Sequence, residues 1–148
     1  MNKVRAKKQL GQHFLTNLQV AQDTVDAFGS NGYFKQALEI GPGMGVLTEE
    51  LKKRSDLDFK VIDIDQESIA YLAEHKILEK NQLIHGDFLK MNLKEIFGEE
   101  PFGIIGNFPY NISTQILFQL YDYRDQAREL VGMFQKEVAE RVVSPPGS

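Results

Sequence analysis

Apolar positions recur with two different periods along this chain, and the switches between them mark out its elements. From Thr16 to Phe28, capping residues are followed by Leu18, Ala21, Val25 and Phe28 at helical spacing, with Gly29 as a stop. A-L-E-I-G at 37–41 is a short apolar run ending in glycine, which predicts a strand entering a turn. Residues 46–54 predict a helix, F-K-V-I-D-I-D at 59–65 a second strand, and Gln66 to Leu78 an amphipathic helix with Ile69, Leu72 and Ala73 inward. Q-L-I-H at 82–85 predicts a third strand, F-G-I-I-G-N at 102–107 a fourth, and Ser113 to Tyr121 a helix. E-L-V-G-M-F at 129–134 predicts a fifth strand, and K-E-V-A-E-R-V-V at 136–143 a last helix.

Strands alternating with helices imply right-handed βαβ units, hence an α/β fold with a mostly parallel sheet. Such sheets bind ligands beyond the carboxyl ends of their strands, where the strand order switches. The unusual residues of this chain all fall at those ends: Gly41 to Gly45, Asp63 and Asp65, Asp87, and Asn107 to Tyr110. The last five residues, S-P-P-G-S, read as a loop, so the expected sheet halts at five strands with its final edge uncovered, as if stopped in mid-fold.

Composition narrows the class without naming it. The 148 residues fit one core, and 42% hydrophobic with 26% charged residues is ordinary for a globular domain. With no cysteine there is no disulfide framework, thiolate metal site or cysteine nucleophile; a reducing compartment suits this, and the cytoplasm is the expected location. No apolar stretch points to a signal peptide or a membrane span. Charge is unevenly placed. Residues 1–15 hold Lys3, Arg5, Lys7 and Lys8 and no acid, leaving 13 of the 17 basic groups against all 21 acidic ones. A basic arm over 1–15 ahead of a domain over 16–148 is either a phosphate-binding element or a solvated tail.

Four motifs carry the candidate chemistry. In E39-I-G-P-G-M-G45 the glycines permit a sharp turn and close approach of a ligand, and the N–H groups of the following helix start favour an electron-rich group. The spacing is G-x-G-x-G, not the dinucleotide fingerprint, and Glu39 either faces a cationic ligand or caps the loop. Asp63, eighteen residues past Gly45, can accept both hydroxyls of a ribose, while Asp65 caps the next helix. Asp87 can accept from the exocyclic amine of an adenine with Phe88 against the ring; alternatively both are turn and core residues. Together with the glycines and Asp63 they complete contacts for an adenosine. In I-G-N-F-P-Y the amide oxygen of Asn107 and the carbonyl of Phe108 can both accept from one amino group. Pro109 holds that backbone still, and Tyr110 offers a face for an unstacked base. His13, His75 and His85 form no metal motif, and no nucleophile or P-loop is present.

Taken in order, K8-Q-L-G-Q-H-F-L15, E39-I-G-P-G-M-G45, V-I-D63-I-D65, G86-D87, I-G-N107-F-P-Y-N-I-S and Q135-K-E-V-A-E-R-V-V-S-P-P-G-S resemble the KsgA/RsmA family of rRNA adenine N6,N6-dimethyltransferases. The resemblance implies a Rossmann-like class I methyltransferase fold that uses S-adenosyl-L-methionine to dimethylate two adjacent adenines near the 3′ end of small-subunit rRNA. It implies cofactor contacts at His13, Leu15, Gly41, Asp63, Asp87 and Asn107, and a stacking role for Tyr110. Glu39, Gly43, Gly45, Ile64 and Phe88 complete the expected cofactor set, and Lys3, Arg5, Lys7 and Lys8 the expected RNA contacts. The chain departs from the family's usual Glu at Asp63 and Leu at Phe108. Family members continue with further strands and a small helical domain, so a fragment is expected here. The expected partner is small-subunit rRNA in a 30S assembly particle, with no membrane and a monomeric enzyme. The rival readings are N6-methylation of large-subunit rRNA or DNA, and a non-catalytic RNA-binding assembly module.

Overall fold

A computed structural model of the chain describes residues 18–108, 110–133 and 139–143. Its elements run α1 (Leu18–Ala27), β1 (Gln36–Ile40), α2 (Val46–Lys52), β2 (Asp58–Asp63), α3 (Gln66–Glu74), β3 (Leu83–His85), α4 (Lys94–Phe97), β4 (Phe102–Asn107), α5 (Tyr110–Tyr121), β5 (Ala127–Met133) and β6 (Ala139–Val143). Short 3₁₀ turns at Lys80–Gln82 and Phe88–Lys90 flank β3. The strands form one sheet in the order β3-β2-β1-β4-β5-β6. Every pairing is parallel except β5 with β6.

Parallel strands covered on both faces must be apolar in both directions, which is why β4 reads as the near-continuous run F-G-I-I-G. Successive residues serve opposite layers. Ala37, Val61, Ile105 and Val131 pack with Val25, Phe28, Leu47, Leu51 and Leu72 from the side of α1, α2 and α3. Leu38, Ile62, Ile104 and Leu130 pack with Phe88, Leu93, Phe97, Ile116 and Leu120 from the side of α4 and α5. At the sheet's amino-terminal end Arg54 ties the elements together, donating to the carbonyls of Val25 (2.6 Å) and Phe28 (2.7 Å) and pairing with Asp56.

Two expectations are corrected. Residues 139–143 of the expected last helix form β6, antiparallel to β5 in the register Glu129↔Val143 to Met133↔Ala139, while 136–138 lie outside the described residues. Among the described residues the sheet therefore has six strands, and the β5 edge that was expected to be bare is covered by β6. Helical spacing of Val138, Val142 and Val143 is equally compatible with β-branched residues in a strand, and the open hydrogen bonds of β5 decide between the two. The α5 helix begins three residues earlier than its periodicity indicated, at Tyr110.

Candidate active site

The strand order reverses between β1 and β4, and the carboxyl ends of β1, β2, β3 and β4 come together there. They surround a cleft of about 400 Å³ lined by Ile40, Gly41, Ile62, Asp63, Ile64, Gly86, Asp87, Phe88, Leu89, Asn107, Phe108, Ile112 and Ile116. That volume lies in the range of small-molecule sites, and the lining is mostly apolar with a few placed polar groups.

Each polar group is set by local structure. Gly41, at φ 67°, leaves β1 with its N–H on the carbonyl of Ile62 at 2.9 Å, so the glycine loop is fastened to β2 as it turns. Asp63 is buried at the end of β2, and its carboxylate accepts the N–H of Asp65 at 2.9 Å, which holds it at the cleft wall. Asp65 in turn caps α3 by accepting from Glu67 N–H at 2.9 Å, the capping role read for it from the sequence. Asp87 caps the 3₁₀ turn, accepting from Leu89 N–H at 3.0 Å, so it serves as a turn residue while lining the cleft. Ile64 is 68% exposed at the lip, and the His85 ring donates to its carbonyl at 3.1 Å.

The β4 tip brings in Asn107 and the buried Phe108. Gly106 lies just behind them. A Cβ there would stand 2.6 Å from the carbonyl oxygen of Ile40 and 2.7 Å from the Phe108 ring. Only glycine lets β4 and β1 close on each other while the Phe108 ring folds back across them.

Seven of the expected site residues therefore share one cleft: Gly41, Asp63, Ile64, Asp87, Phe88, Asn107 and Phe108. Gly43 and Gly45 shape the loop, at φ 58° and 92°, without lining the cleft. Glu39 also stands apart. It is 1% exposed in the core, where the Thr48 hydroxyl donates to its carboxyl group at 2.5 Å. Burial, reinforced by the negative charge of Asp63, pushes its pKa up to about 8 against the opposing effect of the Thr48 bond. Glu39 is thus a protonated crosslink between β1 and α2, not a carboxylate facing the cleft. Tyr110 opens α5 directly beyond the β4 tip. His13, Leu15, Pro109 and the basic residues Lys3, Arg5, Lys7 and Lys8 lie outside the described residues.

The sequence reading missed the α5 wall. Ile112 and Ile116 line the cleft, and their i, i+4 spacing was the available signal, masked because the same stripe also continues into the core at Leu120. Leu89 was missed because a 3₁₀ turn leaves no periodicity to read.

The family model described as ribosomal RNA adenine dimethylase matches residues 3–148. The chain belongs to that family. Among curated relatives of the dimethylase family, it is 57% identical over 148 residues to ribosomal RNA small subunit methyltransferase A of Cytophaga hutchinsonii, covering all of this chain and 57% of that protein. It is 49% identical to the protein of the same name from Flavobacterium johnsoniae, covering all of this chain and 56% of that one. The chain thus spans little more than half the length of these relatives. Among solved structures, a dimethyladenosine transferase from Plasmodium falciparum is 31% identical with a TM-score of 0.54, over 78% of this chain and 41% of that one. The 23S rRNA methyltransferase ErmE is 26% identical with a TM-score of 0.54, over 82% of this chain and 46% of that one. The plantazolicin methyltransferase BpumL, at 16% identity and a TM-score of 0.59, shares the fold over 89% of this chain and 52% of its own. The fold is the class I methyltransferase fold.

Proposed function

We propose that this chain carries the cofactor and methyl-acceptor sites of an enzyme that dimethylates N6 of two adjacent adenines near the 3′ end of small-subunit rRNA, with S-adenosyl-L-methionine as methyl donor. The observation that carries the reading is the meeting of four strand tips around one cleft of nucleoside size. The donor set fits the cofactor. Asp63 is assigned to the ribose hydroxyls and Asp87 to the adenine amine. Ile64 and Phe88 are assigned to the faces of that ring, and Gly41 to close backbone approach. His13 and Leu15 of the arm are assigned to the same ligand. When bound, S-adenosyl-L-methionine supplies an electrophilic methyl group on a sulfonium.

The chain's own work is alignment. Adenine N6 is a poor nucleophile because its lone pair is delocalised into the ring. The Asn107 side-chain oxygen and the Phe108 carbonyl are assigned to accept its two N–H groups, which favours a pyramidal nitrogen and localises the lone pair. Pro109 stiffens that backbone and Tyr110 stacks on the target base. Holding reacting atoms about 3–3.5 Å apart and in line can supply several kcal/mol, so no covalent protein intermediate is required. Lys3, Arg5, Lys7 and Lys8 are assigned to rRNA phosphates.

Asn107→Ala is expected to cut methylation by roughly a hundredfold or more while leaving cofactor affinity nearly unchanged. Unchanged turnover of methyl groups in that variant would refute the assignment. Methylation assays on 30S particles, 50S particles and duplex DNA separate the substrates, and activity only on 50S particles would instead favour the ErmE-like specificity. Calorimetric titration with S-adenosyl-L-methionine tests the cofactor; no heat at millimolar ligand would favour a non-catalytic RNA-binding module.

A further inference from the structure

The two walls of the cleft come from different parts of the chain, and one side chain joins them behind the lining. The cofactor wall includes Asp87, Phe88 and Leu89 from the 3₁₀ turn after β3, and the acceptor wall includes Asn107, Phe108, Ile112 and Ile116 from β4 and α5. Gln119 lies on the same stripe of α5 as Ile112 and Ile116, three residues after Ile116. Its amide nitrogen donates to the carbonyl of Phe88 at 2.7 Å and to that of Met91 at 3.2 Å. Those carbonyls bracket the turn, and the Phe88 carbonyl also receives the Met91 N–H at 3.1 Å within it.

The other half of the amide is left over. Gln119 Oε1 is buried and has no hydrogen-bond partner among the described residues. A buried oxygen without a donor costs free energy, and a side chain placed only to fill this space would do better as methionine. What glutamine adds here is its donor group, aimed at two carbonyls of the turn.

Building on the cofactor reading above, we propose that Gln119 is a positioning residue: it clamps the Asp87–Met91 turn to α5 and so sets the span between the adenine end of the cleft and the Asn107–Tyr110 methyl-acceptor motif. Gln119 touches neither ligand. It acts through the Phe88 and Met91 carbonyls on a wall that the cofactor contacts, and through α5 on a wall that positions the target base.

Gln119→Met separates this role from a purely structural one, because it keeps length and volume, removes the donors and removes the unpartnered oxygen. Its unfolding midpoint is expected to stay near that of the unsubstituted chain. Its affinity for S-adenosylhomocysteine by calorimetry is expected to fall about tenfold, the effect of losing one to two net hydrogen bonds' worth of preorganisation. Amide exchange reports the clamp without any ligand. Leu89 and Met91, whose N–H groups bond within the turn, are expected to lose protection, while β1 and β4 keep theirs. Gln119→Glu, which turns a second acceptor toward the same two carbonyls, is expected to lose both more severely. Affinity within twofold of the unsubstituted chain in Gln119→Met overturns the proposal, and so does unchanged protection at Leu89 and Met91. Failure of the unsubstituted chain to bind S-adenosylhomocysteine at all would instead overturn the cofactor reading, and the positioning role with it.

Discussion

Glu39 shows how much a single residue's role depends on which way its strand faces. Its position before the glycine loop suggested a counter-charge for a cationic ligand, yet it points into the core and bonds to Thr48. Its pKa of about 8 lies above the ordinary 4.5, so between those values the folded chain holds a proton that the unfolded chain releases. The sign follows from proton linkage: the stability tied to this group is fully present below pH 4.5 and is lost as pH rises through 8. Glu39→Gln is therefore expected to flatten the dependence of the unfolding midpoint on pH between 5 and 8. Cofactor affinity at pH 7 should change by no more than about twofold, and a larger loss in a titration would restore the counter-charge role. Thr48→Val, which strands the buried carboxyl without its donor, is expected to cost about 1–3 kcal/mol in denaturant unfolding, and Thr48→Ser much less.

At the scale of elements, the site exists because strand ends are held in register by close backbone packing. Gly106 is the tightest case, with the Ile40 carbonyl oxygen 2.6 Å from where a Cβ would stand. Since that neighbour is backbone, it can yield only by separating β4 from β1. Gly106→Ala is expected to destabilise the chain by about 1–3 kcal/mol. It should also weaken nucleoside binding, because Gly41 and Asn107 sit on the two strands being forced apart. Denaturant unfolding and ligand titration of the variant measure the two effects separately. Gly103 follows the same logic on the other layer, where a Cβ would stand 2.3 Å from the Phe34 ring and 2.9 Å from the Phe28 ring; both rings are buried and packed on each other, so Gly103→Ala is expected to destabilise the chain as well. Both glycines were visible in the sequence as interruptions of an apolar run. That they admit a carbonyl in one case and two phenylalanines in the other was not.

For the whole molecule, the division of charge bears on the proposed binding of rRNA. The net charge is −4, and the four basic residues of 1–15 precede a body that is acidic overall. If these residues neutralise phosphates, affinity for single-stranded rRNA should fall with salt, by a slope of about 0.7 for each phosphate contacted. Replacing Lys3, Arg5, Lys7 and Lys8 together by alanine is expected to reduce that slope by up to about 3, with S-adenosyl-L-methionine affinity much less affected. Binding titrations across a salt series check this, and an unchanged slope would assign the arm no electrostatic role. Among the described residues no helix is long and apolar enough to cross a membrane.

The sequence by itself determined the fold class, the parallel strands β1 to β5 and the ligand end of the sheet. These follow from local signals: apolar runs long enough to be buried on both sides, glycines at turns, and carboxylates or amides where strands stop. It also determined the family, because the motif order survives without any coordinates. Only the tertiary structure decided that residues 139–143 form a strand, since an antiparallel partner for β5 lies beyond the reach of local periodicity. Only it turned Glu39 away from the cleft, made Ile112 and Ile116 its wall, and brought Gln119 onto the carbonyls of Phe88 and Met91. Each of those facts concerns contacts between different elements, and contacts of that kind are set by how layers pack, not by which residues neighbour one another along the chain.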